Sequence, residues 1–187
     1  MTMRAVLDSN LFFSMWTLDP LLSFAEADFY QLVWSNVIMA EVTEHLPEVW
    51  SHATKEKVSA FLQAINSAFP EALISLAANQ IFPISLPDPD DEHVLTAAIQ
   101  SHSNFIVTNN LKHFPQEKLA TQHVAAISPD NFLCHLFESN PEESGIIIQE
   151  LVSEKNHPPR SIKDEITHLQ RVGLTQFSRL LEQNLLH

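Results

Sequence analysis

The sequence predicts an α/β protein: a central parallel sheet flanked by helices in three layers, followed by a C-terminal helical extension. Short apolar runs that suit buried strands alternate with amphipathic helical patterns over residues 4–127, which is typical of a parallel sheet. From Pro129 onward the pattern is wholly helical. The 187 residues are 45% hydrophobic and 18% charged, and this composition indicates a folded chain rather than disorder.

The first part of the chain begins with a buried strand and alternates from there. Ser35 suits the N-cap of a helix, and Pro47 and Pro70 are predicted to end helices. Apolar side chains recur at helical spacing between Val58 and Ile65. The predicted elements are strand 4–7, helix 20–28, strand 30–34, helix 35–46, helix 54–68, a short helix 71–78 and an extended segment 80–86.

The second part continues the alternation and then changes to helices alone. The breaks fall at Asn140-Pro141, at His157-Pro158-Pro159 and at Gly173, which suits the end of a helix. The predicted elements are helix 91–102, strand 105–108, strand 124–127, and helices 130–138, 142–154, 161–171 and 174–186.

Composition excludes several kinds of site. With two glycines in the whole chain there is no Gly-rich phosphate or dinucleotide loop, and there is no His-Glu-x-x-His zinc helix. Cys134 is the single cysteine, so no internal disulfide can form. No apolar run is long enough for a signal peptide core or a membrane span, and we expect a cytoplasmic protein without membrane contact.

The most informative segment is the acidic stretch at residues 87–99, Pro-Asp-Pro-Asp-Asp-Glu-His followed by an apolar helix. Carboxylates crowded at one helix entrance repel one another unless a cation or the helix dipole offsets their charge. Asp8 follows the first strand, where open parallel sheets place their ligand crevice. Glu41 lies on the helix after the second strand. These three elements can converge on one point, and a divalent metal would explain why.

Four short stretches of the sequence form a recognisable set: Val-Leu-Asp-Ser-Asn at 6–10, Trp-Ser through Glu at 34–41, Asp-Pro-Asp-Asp through Ala at 88–98, and Ile-Val-Thr-Asn-Asn-Leu-Lys-His-Phe-Pro at 106–115. In this order and with these spacings they resemble the PIN-domain nucleases, and in particular the VapC-like toxin branch. The resemblance spans roughly residues 3 to 130. It divides the chain into a PIN-like nuclease domain, residues 1–138, and a helical C-terminal extension, residues 139–187.

The resemblance implies a set of site residues. It makes Asp8, Glu41 and Asp91 ligands of Mg²⁺ or Mn²⁺, and it places Asn110 at the fourth catalytic position. Most relatives have Asp in that fourth region, and His113 stands where a second acid often follows, so this chain departs from the pattern there. The resemblance further implies a metal-dependent ribonuclease, the toxin of a toxin–antitoxin pair, with RNA as substrate, a cognate antitoxin as partner and a homodimer as assembly.

Each of these residues also has a structural interpretation. Asp8 could end its strand in an Asx turn with Asn10. Asp91 could simply stabilise the helix that follows through the helix dipole, which is also the structural interpretation of Asp90. Asn110 could cap the short turn at 111–113. The further candidates for the site are Asn10, Asp90, Thr108, His93 and His113.

The distribution of charge bears on where RNA could bind, and two other functions stay open. The formal net charge is -13, with 5 basic and 20 acidic residues in 1–154 and 5 basic and 3 acidic residues in 155–187, so RNA contact is electrostatically easiest in the tail. The neutral Asn110 and His113 suit a catalytically weak PIN-like module that binds or regulates. Asp8 also lies where aspartyl phosphatases place a nucleophile, but their second Asp is here Asn10.

Overall fold

The computed structural model describes residues 3–50, 53–76, 85–155 and 158–186. Within this part the chain forms two compact units, the first within residues 1–13 and 30–127 and the second within residues 14–29 and 128–187. The predicted boundary between residues 138 and 139 stays a prediction, because compactness does not show which segment folds independently. None of the helices in the described residues is long and apolar enough to cross a membrane.

The first unit is built on a parallel sheet, which confirms the predicted fold class. In the described residues the sheet has five strands in the order β3-β2-β1-β4-β5, and every neighbouring pair is parallel. The strands are β1 Arg4–Leu7, β2 Gln31–Ser35, β3 Leu73–Ile74, β4 Phe105–Val107 and β5 Ala125–Ile127.

The central strand β1 fixes where a ligand crevice can lie. Ala5, Val6 and Leu7 are completely buried, as expected for a strand covered on both faces. Strand β1 pairs with β2 on one side and with β4 on the other. The strand order therefore reverses at β1, and open α/β sheets bind ligands outside the carboxyl ends of the strands at such a point.

Two helices of the first unit begin at a side-chain cap, and the sequence predicted the first of these caps, Ser35. Helix α1, Met15–Glu26, belongs to the second unit. The Ser35 hydroxyl accepts a hydrogen bond from the Ile38 N–H and starts α2 directly at the end of β2. Thr54 caps α3 in the same way. The helices are α2 Asn36–Val49, α3 Lys55–Ala68, α4 Glu92–Gln100 and α5 Gln116–Leu119.

Two helices extend through a proline that was predicted to bound them. Helix α2 continues through Pro47 to Val49 instead of ending at residue 46. Proline removes the bond to the carbonyl four residues earlier and crowds that carbonyl. The residue that carries it, Thr43, is exposed in the last turns, where the carbonyl can tilt outward and bind water instead. Helix α1 begins at Met15 rather than near Pro20, because the Ser14 carbonyl accepts the first helical hydrogen bonds.

The predicted helix 71–78 is wrong where the structure describes it. Leu73 and Ile74 form strand β3 and pair with Trp34 and Ser35 of β2. This pairing satisfies backbone groups along an otherwise open edge of β2, and a short apolar segment can follow either pattern. Residues 77–78 of that prediction, and residues 80–84 of the predicted extended segment 80–86, lie outside the described residues.

The second unit consists of helices around an aromatic core. Phe177 lies against Phe24 and Phe137, with ring centroids 6.4 and 6.3 Å apart. The buried Asp130 carboxylate accepts hydrogen bonds from the N–H groups of Gln176 and Phe177 and so caps the last helix. Besides α1 the helices are α6 Pro129–Ser139, α7 Pro141–Ser153, α8 Ile162–Arg171 and α9 Thr175–Leu185.

Candidate metal centre

Asp8 lies just beyond the carboxyl end of β1 and is held there by backbone and side chains. Its N–H donates to the Val107 carbonyl at 3.1 Å, which continues the pairing of β1 with β4. The side chain is 2% exposed, and Oδ2 accepts hydrogen bonds from Thr108 Oγ1 at 2.6 Å and Asn10 Nδ2 at 2.5 Å. A buried carboxylate with these donors has one fixed orientation.

Thr108 connects the two strand ends. It is completely buried after β4, and its hydroxyl also accepts a hydrogen bond from the Asn110 N–H at 2.9 Å. Asn10 Oδ1 accepts from both the backbone and the side-chain N–H groups of Asn109, each at 3.2 Å. The exposed Asn110 side chain makes no capping hydrogen bond to the turn at Leu111–His113 within the described residues. The structural interpretation of Asn110 as a cap is therefore wrong.

Glu41 reaches the site from helix α2. Its Oε1 lies 2.7 Å from His93 Nε2, and because a carboxylate only accepts, the ring donates. Partial burial raises the pKa of Glu41, but hydrogen bonds from His93 and Ser9 and the charges of His93 and His45 bring it below its usual value. Glu44 is exposed on the same helix. Glu41 is thus an ionised, oriented carboxylate.

Asp91 reaches the site from the turn before helix α4. It is the last residue of a 3₁₀ turn, Pro89–Asp91, and its Oδ2 lies 2.6 Å from His113 Nδ1. Asp88 precedes this turn, accepts a hydrogen bond from the Asp90 N–H at 3.1 Å and lies 3.7 Å from the same His113 nitrogen. Asp90 itself is exposed.

Two of the predicted metal ligands, Asp91 and Glu41, affect the third, Asp8, through their negative charge. Burial raises the pKa of the Asp8 carboxyl, and the negative charges of Asp91 and Glu41 raise it further, against the lowering effect of the hydrogen bonds from Thr108 and the Ser9 backbone. The charges of Asp91 and Glu41 thus disfavour the ionised form of Asp8. Repulsion of this kind is relieved by a cation, so the donor set fits a divalent ion with oxygen ligands.

A tighter group of ligand atoms lies beside these carboxylates. Among the described residues, one set of three acidic or histidine side chains has ligand atoms that all lie within 4.8 Å of one another: Asp88, Asp91 and His113. Asp8 and Glu41 are not members of it. Asp91 is common to this group and to the predicted ligands.

Sequence reasoning did not single out Asp88, which appears there only as part of the acidic stretch at residues 87–99. The signal that could have found it is its spacing, since residues three apart in a 3₁₀ turn lie above one another and Asp88 is three residues before Asp91. The two histidine contacts had no comparable signal. The ring of His93 also has a buried Nδ1 for which no hydrogen-bond partner is found among the described residues.

Replacing Thr108 by Val is expected to destabilise the first unit by about 1–3 kcal/mol, because it removes a hydroxyl that donates to a buried carboxylate and leaves the Asn110 N–H unpaired. Thr108→Ser keeps the hydroxyl and should stay close to the wild type. Urea denaturation of both variants measures the difference. Equal urea midpoints for Thr108→Val and Thr108→Ser would show that this hydroxyl contributes nothing to stability.

The fold and this site define the class of the protein. It is a parallel α/β protein with carboxylates at the strand ends. The family model described as "PIN domain" matches residues 4–112, more than half of the chain, and the chain belongs to this family. A second model, described as "VapC50 C-terminal domain", matches residues 129–183. The resemblance to the VapC-like branch is thereby confirmed.

A curated relative agrees with this assignment over part of the chain. The protein from Mycobacterium tuberculosis named "Putative ribonuclease VapC50" is 38% identical over 69 residues, which cover 37% of this chain and 41% of the relative. The match thus spans about two fifths of that protein's length. No solved structure matches the chain.

Proposed function

We propose that this protein is a metal-dependent endoribonuclease and the toxin component of a toxin–antitoxin pair. The observation that carries the proposal is the burial of Asp8 at the carboxyl end of β1, where the negative charges of Asp91 and Glu41 add to the raised pKa of its carboxyl. Membership of the PIN domain family and the name of the curated relative support it.

Asp8, Glu41 and Asp91 would hold Mg²⁺ or Mn²⁺, both of which bind carboxylate oxygens. When bound, such an ion lowers the pKa of a water ligand and neutralises charge on a phosphodiester. Asn110 would complete the site as a neutral donor or acceptor at its exposed rim. Water would attack the phosphorus directly and the bond from phosphorus to the 3′-oxygen would break, so the products would carry 5′-phosphate and 3′-hydroxyl ends.

The surrounding residues hold these carboxylates in place. Thr108 and Asn10 fix Asp8, while the His93 ring fixes Glu41. The carboxylates would thus be oriented before any ion binds, which reduces the free energy needed to order them. Lys112 is exposed on the turn between Asn110 and His113, so its ammonium can contact a phosphate.

The C-terminal basic residues contribute less to RNA binding than their number indicates. Lys155 lies 2.5 Å from Asp19, and Arg160 lies 4.1 Å from the Trp16 ring centre and 3.5 Å from the buried Glu165. These contacts lie within the second unit and partly neutralise both cations. Lys163, Arg171 and Arg179 are exposed and would remain as the basic residues of this segment that can contact RNA.

The partners follow from the same chemistry. An acidic site of this kind would be blocked by an antitoxin that inserts a basic side chain between the carboxylates. We further propose a homodimer and action in the cytoplasm, where the RNA substrate is found. Co-expression with the product of the neighbouring gene tests the antitoxin, and measurement of the mass in solution tests the homodimer.

The alternative is a catalytically weak module that binds RNA or protein. It is favoured by the neutral Asn110 and by His113, which stand where relatives of this family carry acids. This module would bind RNA without cutting it, and its binding would not require a divalent ion.

Removal of metal discriminates between the two functions. Purified protein is incubated with a mixed RNA pool in Mg²⁺, in Mn²⁺ or in EDTA, and the product ends are analysed. We expect cleavage with either ion, 5′-phosphate products and a loss of at least about 100-fold in EDTA, since metal ions supply several kcal/mol to such reactions. Binding without cleavage in all three conditions would favour the alternative.

A further inference from the structure

We propose that Asp88, Asp91 and His113 form a transition-metal site, so that this protein binds Mn²⁺ in preference to Mg²⁺. The inference concerns which ion is bound and by which atoms. It extends the proposed function, because Asp91 belongs to both sets of ligands.

The three side chains come from two short turns that face each other. Asp88 and Asp91 begin and end the turn before α4, and His113 ends the turn Leu111–His113 after β4. The ring Nδ1 lies 2.6 Å from Asp91 Oδ2 and 3.7 Å from Asp88 Oδ2. In the ion-free protein this nitrogen carries a hydrogen and donates it to Asp91, because a carboxylate only accepts, so an ion would bind at Nδ1 only after that hydrogen is given up.

The spacing of these atoms fits one shared ion. Ligands at about 2.0–2.3 Å from the same ion lie at most about 4.6 Å from one another. The observed ligand atoms lie within 4.8 Å, so small side-chain rotations bring all three onto one centre. The side chains are 42%, 18% and 22% exposed for Asp88, Asp91 and His113, which leaves room for an ion to enter and for water to complete its coordination.

The donor types decide which ion is preferred. Mg²⁺ is a hard ion that binds carboxylates and water, whereas imidazole nitrogen is a ligand for first-row transition ions. An acid at position 113 would give three carboxylates and no such selection. The departure of His113 from the family pattern is therefore a change of metal preference rather than a loss of one ligand.

The test measures metal binding directly, with Mn²⁺ as the probe and Mg²⁺ as competitor. Free Mn²⁺ is followed by its electron paramagnetic resonance signal in titrations of the full chain, and pulsed measurements detect nitrogen bound to manganese. The wild type should show imidazole nitrogen coupling. His113→Ala should lose that coupling and weaken Mn²⁺ binding by about tenfold or more.

Two further variants and one control variant test the same metal preference. His113→Asp should keep an ion bound but shift the ratio of Mn²⁺ to Mg²⁺ affinity toward Mg²⁺ by about tenfold. Asp88→Asn keeps the oxygen that caps the turn and should weaken Mn²⁺ binding without unfolding it. His135→Ala, on the exposed side of α6 in the second unit, should change nothing. Circular dichroism verifies that each variant is folded.

The outcomes separate this inference from the proposed function. Absence of nitrogen coupling in the wild type, or an unchanged affinity ratio in His113→Asp, would overturn the metal preference even if RNA is cleaved. Nitrogen coupling that depends on His113 in a protein that cuts no RNA would support the site and contradict the nuclease.

Discussion

Asp8→Asn is expected to lower RNA cleavage by at least about 100-fold and, in EDTA, to raise the free energy of unfolding. The loss of activity follows because a metal ligand worth several kcal/mol is removed. The gain in stability follows because Asp8 is buried and repelled by Asp91 and Glu41, so its charge costs stability when no cation is present. Its scale is on the order of 1 kcal/mol, as for one buried polar group.

The pH dependence of this stability has a definite sign. Because the folded-state pKa of Asp8 is raised, the wild type takes up a proton more readily when folded. The stability that Asp8 contributes through this proton is fully present below the pKa of Asp8 in the unfolded chain. It is lost as the pH rises through the pKa of Asp8 in the folded protein. The advantage of Asp8→Asn in EDTA should therefore shrink in acid. Thermal unfolding at several pH values measures it, and a variant less stable than the wild type at neutral pH would refute the repulsion.

Asp91→Asn should abolish cleavage, while Asp90→Asn should leave it within about threefold of the wild type. The two acids are adjacent, but Asp91 contacts His113 and acts on Asp8, whereas Asp90 is exposed. Both changes remove one negative charge from the same turn, so Asp90→Asn controls for net charge. The expected loss for Asp91→Asn is again about 100-fold or more.

Cleavage assays on both variants, together with Mn²⁺ titration, measure the contrast. Asp91→Asn should also weaken Mn²⁺ binding. If Asp90→Asn lost as much activity as Asp91→Asn, charge at the turn rather than ligation would explain the effect. If Asp91→Asn kept full activity while folded, the assignment of Asp91 would be wrong.

The central strands and their end residues were predictable because they obey short-range rules. A continuous apolar run such as Ala5 to Leu7 suits a strand buried on both faces, and polar residues directly after it must lie at the sheet edge. Ser35 and Thr54 have the side-chain oxygens that cap helices. These patterns predict the position of Asp8 directly, whereas the choice of Glu41 and Asp91 also depended on the family resemblance.

Other features depend on contacts that the sequence does not encode locally. The strand at Leu73 and Ile74 exists because β2 offers an open edge, and helix α2 tolerates Pro47 because one lost bond near its end costs little. Membership of α1 in the second unit is set by the ring of Phe177 against Phe24, while its amphipathic pattern would also suit a sheet.

The site also combines features that local sequence patterns predict with features that depend on tertiary contacts. Asp8 and Asp91 were predicted from their places after a strand and before a helix, and Glu41 from its place on the helix after β2 and from the family resemblance, but the partners of these acids were not predicted. His93 lies 52 positions from Glu41, and His113 lies 22 positions from Asp91. Among ten histidines no pattern separates these two from the rest. Only the tertiary arrangement brings each ring to a carboxylate.

The most direct test of the metal-dependent nuclease compares wild type and Asp8→Asn on one labelled RNA after removal of metal and after Mn²⁺ is restored. We predict that the wild type is inactive in EDTA and regains cleavage when the ion is added, whereas the folded variant stays inactive in both conditions. Cleavage by the wild type in EDTA, or equal cleavage by the variant with Mn²⁺, would contradict the account.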